Sequence, residues 1–198
     1  MTANKIVFGI TGGSGVGKSY ISDLFRKRGI DVIDSDKTAR QVVMPNGKAY
    51  DELYAHFGKD YFAEDGTLLR RKLAERVFSD KKELGILNEI THKHIKRQIE
   101  EDLKSASHIA AIDGAVIIGS PVEDMCSFLV GVVAGRDTRI KRIMSRDFIT
   151  EESAIKRIDA QPDAEFYRKY CRYIIENDGK TDMAYEVENI MKDLEELV

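Results

Sequence analysis

A chain of 198 residues with 42% hydrophobic and 33% charged side chains is long enough for one core with inserted subdomains and is ordinary for a globular protein. Its formal net charge of −3 argues against a general nucleic-acid binder, while leaving room for a local basic patch facing a phosphorylated ligand. Cys126 and Cys171 belong to no C-x-x-C pair, no charged-then-apolar leader opens the chain and no apolar run is long enough for a bilayer, so a cytoplasmic address away from membranes is expected.

Lys5-Ile6-Val7-Phe8-Gly9-Ile10 reads as a buried strand, and Ser19 to Arg28 as a helix carrying Ile21, Leu24 and Phe25 inward. Between them Gly12-Gly13-Ser14-Gly15-Val16-Gly17-Lys18-Ser19 fills every fixed position of the phosphate-loop pattern G-x-x-x-x-G-K-[ST]. Glycines let such a loop turn its backbone N–H groups toward one point, and the following helix adds its positive end there. A nucleoside triphosphate is the expected ligand. Residues 12 to 19 together with Tyr20 and Arg142 form the expected ATP contact, with Lys18 on the outer phosphates and the Ser19 hydroxyl on the Mg2+ that accompanies ATP.

Ile30 to Ile33 reads as a short second strand with Asp34-Ser35-Asp36 at its C-terminal end, where open parallel sheets place ligands. Residues 37 to about 105 are mostly helical in pattern. One apolar stripe runs through Ala49, Leu53 and Phe57, another through Leu73 and Val77, and a long third through Leu84, Leu87, Ile90, Ile95, Ile99 and Leu103. Asp65-Gly66 marks a turn, and Arg70-Arg71-Lys72 follows it. Strand character returns at His108 to Ile112, ending in Asp113, and at Phe128 to Val133. Helices are expected from about Thr138 to Arg146 and from Glu151 to Ala160, the second capped by Thr150. Tyr173-Ile174-Ile175 reads as a last strand and Ala184 to Leu197 as a closing amphipathic helix, so the chain is α/β with a parallel sheet flanked by helices.

Three sets of residues suit phosphate chemistry. Asp34 and Asp36, read as lying at a strand end, project to one side, where carboxylates bind magnesium or accept a hydroxyl proton; Asp36 also suits a helix N-cap. Arg139, Arg142 and Arg146, spaced i, i+3, i+7, share one helix face that complements a polyphosphate or is simply solvated. Asp113 is a lone carboxylate at an apolar strand's end, the place of the magnesium-side acid in phosphate-loop enzymes. His92 and His94 point apart on a helix and make a poor shared metal site.

The opening G-I-T-G-G-S-G-V-G-K-S, V-I-D-S-D-K-T-A-R-Q-V-V from Val32, D-G-T-L-L-R-R-K-L-A-E-R-V-F from Asp65, R-I-M-S-R-D from Arg142, R-I-D-A-Q from Arg157 and Y-I-I-E-N-D-G from Tyr173 resemble the dephospho-coenzyme A kinases over nearly the whole chain. The resemblance implies a single phosphate-loop kinase domain. Its core would be about 1–35, 106–142 and 170–198, with a helical acceptor-binding insertion about 36–105 and a lid about 143–169. It implies transfer of the ATP γ-phosphate to the ribose 3′-hydroxyl of dephospho-coenzyme A, with Asp36, Lys18, Arg142 and Arg146 in catalysis. Asp36, Arg40, Arg70, His92 and Asp113 fall on the acceptor side, with Ser19 and Asp113 as the metal-side groups. ATP and dephospho-coenzyme A are then the partners, with no nucleic acid, no membrane and no protein partner specified.

The sequence departs from the family at Asp113-Gly114-Ala115-Val116-Ile117-Ile118-Gly119, where D-x-P-L-L-F-E is typical, and at Lys93, where a proline is usual after the histidine. A kinase for another nucleoside or nucleotide, and a non-catalytic ATP-binding regulator, are the alternative expectations.

Overall fold

The computed structural model describes residues 5–196. In chain order the elements are β1 (Ile6–Thr11), α1 (Lys18–Lys27), β2 (Asp31–Asp34), α2 (Ser35–Gln41), α3 (Tyr50–Phe57), α4 (Arg70–Ser79), α5 (Lys81–Ser105), β3 (Ile109–Asp113), β4 (Phe128–Val133), α6 (Arg136–Asp147), α7 (Glu151–Asp159), α8 (Ala164–Tyr170), β5 (Tyr173–Glu176) and α9 (Met183–Glu195). They form two compact units: Asp34–Ser105, and the rest of the described chain.

The larger unit is built on a five-stranded sheet of order β2-β3-β1-β4-β5, parallel at the β1–β3, β1–β4 and β4–β5 pairs. Near-continuous apolar strands suit a sheet covered on both faces, and the burial shows it: β1, β3 and β4 are buried along almost their whole length. Phe8, Ile10, Val130 and Val132 pack with Ile21, Leu24 and Phe25 of α1 and with Val187, Ile190 and Leu194 of α9. A separate cluster joins Ile140 and Ile143 of α6 to Ala154 and Ile158 of α7.

The smaller unit gathers Val42, Leu53, Phe57, Phe62, Leu73, Val77 and Ile90 into its own core. The Asp65-Gly66 turn is closed by the Ala63 N–H on the Thr67 carbonyl at 2.8 Å, with Gly66 at φ 82°, where a side chain would be strained. The third apolar stripe forms one continuous 25-residue helix, α5, but only Ile90 and Ile99 of it are buried. A unit this small has too little interior to cover the whole stripe.

Three expectations need correction. Asp34, not Asp36, caps α2, accepting the Lys37 N–H at 2.7 Å; Asp36 lies in the first turn of that helix, so the two carboxylates do not share a strand's side-chain alternation. The boundary drawn at residue 143 falls inside α6, which runs unbroken from Arg136 to Asp147 because Ile140 and Ile143 bury one continuous face. The short helix α8 is an addition to the expected elements; its seven residues, A-E-F-Y-R-K-Y, carry too little apolar periodicity to signal it. Of the closing helix, Leu197 lies outside the described residues, as do residues 1–4 and 198 of the expected core.

Candidate active site

β1 ends at Thr11 and α1 begins at Lys18, so the phosphate loop is the whole connection between a central strand and a helix N-terminus. Gly17 supplies the left-handed turn into α1 at φ 90°, and a side chain there would also collide with the amide of Asn177. Lys18, the first residue of α1, directs its ammonium to the carboxylate of Asp113 in an ion pair. Asp113 ends β3 opposite Ile10 of β1, and its other oxygen accepts the Ser22 hydroxyl at 2.7 Å, one helical turn beyond Lys18. The signature lysine and the strand-end acid are thus one unit at the base of the loop, with Asp113 buried and Lys18 half-buried. Ser19 and Tyr20 are exposed on the first turn.

The α6 arginines divide. Arg139 is only 7% exposed; its Nε donates to the Ser14 carbonyl at 2.9 Å and its Nη2 to Gln161 Oε1 at 2.9 Å, and burial pushes its pKa down. Arg142 donates from Nη1 to the Gly15 and Val16 carbonyls, both at 3.3 Å, and from Nη2 to Asn177 Oδ1 at 3.1 Å. Asn177 in turn donates to the Val16 carbonyl at 2.9 Å. Arg146 does not join them: its guanidinium forks onto Asp147 at 2.7 and 2.9 Å, and Arg157 pairs with the same carboxylate. These bonds, Arg146 first and Arg157 second, hold the Asp147 carboxyl down at about 2.

Gln161, Asn177 and Ser22 are contacts that sequence reasoning did not assign. Gln161 ends the segment R-I-D-A-Q and Asn177 lies within Y-I-I-E-N-D-G, both segments of the family resemblance, and that is the signal the sequence carries for them. Ser22 carried none beyond its place one turn after Lys18.

In the departing segment, the Gly114 N–H returns to the Ile10 carbonyl at 3.0 Å and Ile117 is fully buried. Gly119, at the family's glutamate position, donates its N–H to the Glu123 carboxylate at 2.6 Å.

Within the smaller unit, Asp36 is half-buried on α2, Arg40 is exposed near that helix's end, and Arg70 opens α4 with its Nη2 on the Arg40 carbonyl at 3.2 Å. His92 is half-buried on α5. Its neighbour Lys93, in place of the family's proline, pairs with Glu52, which also receives His94 Nε2 at 2.8 Å; Lys93 first and His94 second lower the Glu52 carboxyl.

Hard cations such as Mg2+ want oxygen ligands, and bound to a triphosphate they take only one or two from protein. Ser19 and Asp113 are such oxygens, and among the described residues no cluster of three His, Cys, Asp or Glu offers a separate all-protein metal site. The donor set therefore fits a metal that arrives with its nucleotide. Among the described residues no helix is long and apolar enough to cross a membrane.

The model of the dephospho-CoA kinase family matches residues 6–183. The dephospho-CoA kinase of Listeria innocua is 35% identical over 173 residues, covering 85% of this chain and 86% of that one. That of Shigella flexneri is 34% identical, covering 89% and 86%. Among solved structures, that of TT1252 from Thermus thermophilus is similar with a TM-score of 0.82 at 28% identity, over 98% of this chain and 99% of the other. Shikimate kinase from Bacteroides thetaiotaomicron, with a TM-score of 0.50 at 15% identity over 96% and 98% of the two chains, shares the fold alone. With the phosphate loop, the helical segment after β2 and the α6–α7 pair all inside one family match, the chain belongs to the dephospho-CoA kinase family.

Proposed function

We propose that the protein transfers the γ-phosphoryl group of ATP to the ribose 3′-hydroxyl of dephospho-coenzyme A, releasing coenzyme A and ADP in the last step of coenzyme A synthesis. The observation that carries this reading is the phosphate loop with Lys18 held on Asp113 at its base, within a chain of this family. The loop N–H groups and the positive end of α1 receive the polyphosphate. Asp113 orients Lys18, whose ammonium moves onto the outer phosphates as a point charge. The acceptor oxygen attacks the γ-phosphorus in line, the bond to the β–γ bridging oxygen breaks, and its electron pair leaves with ADP.

Asp36 accepts the proton that the attacking hydroxyl gives up. Arg142, anchored on the Gly15 and Val16 carbonyls, places cationic charge beside the loop while the phosphoryl group is in flight. Arg146, held on Asp147, stands by as a second cation on the same helix. Arg40, Arg70 and His92 supply the acceptor side. The Ser19 hydroxyl and the Asp113 side of the site would hold the Mg2+ that accompanies ATP, which would supply charge neutralisation to the phosphates. The two free cysteines support a reducing cytoplasm as the setting; burial pushes the Cys126 and Cys171 thiols up to about 12 and about 11, which leaves both as inert packing groups.

The test is ADP release by the purified protein with ATP and magnesium, against dephospho-coenzyme A, adenosine and AMP as acceptors. Rapid turnover with dephospho-coenzyme A alone supports the assignment, and turnover only with another nucleoside overturns it.

A further inference from the structure

Ser14 sits in the leading half of the phosphate loop, and its backbone N–H, carbonyl and hydroxyl are all engaged by two side chains from outside it. Gln161 Oε1 accepts the Ser14 N–H at 2.8 Å, Gln161 Nε2 donates to Ser14 Oγ at 3.2 Å, and Arg139 Nε donates to the Ser14 carbonyl at 2.9 Å. Arg139 and Gln161 also bond each other, and among the described residues no carboxylate pairs with Arg139, so its buried charge is directed wholly to neutral oxygens at the loop. Gly13 makes this approach possible: a Cβ there would lie 2.6 Å from Arg139 Nη2 and 3.0 Å from Gln161 Oε1.

Gln161 is presented on a fixed stalk. It follows α7 directly, with its own N–H on the Ile158 carbonyl at 3.0 Å, and Pro162 and the α8 cap Asp163 come next. α7 is seated on α6 by Ala154 and Ile158 and by two ion pairs, Arg136 with Asp159 and Arg157 with Asp147.

We propose that Gln161, with Arg139, is a positioning latch: from the α7–α8 junction it holds the leading half of the phosphate loop in the shape that aligns the terminal phosphate of the donor. Neither residue is placed on the substrate itself; both act through Ser14. The latch deepens the donor-site reading above and does not depend on which acceptor is used. The remaining loop N–H groups and Lys18 suffice to hold ATP, so loosening Ser14 costs alignment more than affinity.

Gln161→Met keeps length and removes all three hydrogen bonds. Its saturating turnover is expected to fall by roughly 10- to 100-fold, while the dissociation constant of a fluorescent ATP analogue changes by less than about 3-fold. Gln161→Glu still accepts from Ser14 N–H and Arg139, and the Ser14 hydroxyl can turn to donate, so it is expected to recover most of that turnover. Ser14→Ala, which removes only the hydroxyl bond and leaves Arg139 its partners, is measured alongside and replaces Gln161→Met if that variant does not fold; a drop of about 2- to 5-fold is expected. Wild-type kinetic constants with only a lowered melting temperature, or no recovery in Gln161→Glu, would overturn the latch. Because each result is a variant-to-wild-type ratio, it can be read on ATP hydrolysis as well; a wild type inactive toward dephospho-coenzyme A would count against the acceptor assignment and leave the latch test standing.

Discussion

Asp34 and Asp36 are two residues apart and are placed differently: Asp34 closes the start of α2 with its side chain, and Asp36 lies in that helix's first turn. The difference sharpens the test of the proton acceptor. Asp36→Asn is expected to fold with an unchanged melting temperature and to lose roughly 10²- to 10⁴-fold in single-turnover phosphate transfer. A variant with wild-type transfer would remove Asp36 from the chemistry. Asp147 offers a second residue-scale test. Its carboxyl is held at about 2, below its ordinary 3.8, by Arg146 and then Arg157. A depressed folded value means that the contribution to stability is complete above about 3.8 and is lost as the pH falls through about 2. NMR titration should find the carboxyl near 2, and in Arg146→Ala it should rise toward 3.8 because the first of its two cations is gone. An unmoved value in that variant would mean the pairing does not persist in solution.

At the scale of elements, the helix ends make separate predictions. Asp34→Ala removes the side-chain cap of α2 and is expected to cost about 1 kcal/mol in denaturant unfolding. α6 ends on Phe148 in the left-handed conformation, φ 54° and ψ 41°, and the residue is 93% exposed. Glycine fits that conformation without the steric cost of a Cβ, so Phe148→Gly should stabilise by about 1 kcal/mol and raise the melting temperature by about 2–4 °C. A lower melting temperature would show that the ring packs in solution.

Local signals explain which elements the sequence disclosed. The phosphate loop, the Thr150 cap and the Asp65-Gly66 turn each depend on a few adjacent residues, and each is found where those residues predicted it. Choosing Asp34 over Asp36 as cap required knowing where β2 stops, which is a property of strand pairing rather than of the residues at the cap. Arg139, Arg142 and Arg146 are indistinguishable by spacing; only the packing of α6 decides that the first is buried at the loop while the third faces Asp147. Gln161 and Asn177 reach Ser14 and Val16 across 147 and 161 residues of sequence, a distance no periodicity reports.

For the whole molecule, the order of the strands matters more than their number. β1 is encoded first and lies in the middle of the sheet, between β3 and β4, with Gly9 opposite Ile112 on one side and Leu129 on the other. The segment Asp34–Ser105, by contrast, makes its core from residues close in sequence. Local contacts form quickly, and pairings across long stretches of chain form slowly. During synthesis, then, β1 leaves the ribosome with its hydrogen-bonding edges open, and it must wait for about 120 further residues, on the order of 6–24 s of translation, before both neighbouring strands have emerged. In that interval the apolar run I-V-F-G-I is an unpaired strand, the species on which a chaperone would act, and the nucleotide loop cannot take shape until the last-made partners of Val16, Asn177 above all, have left the ribosome.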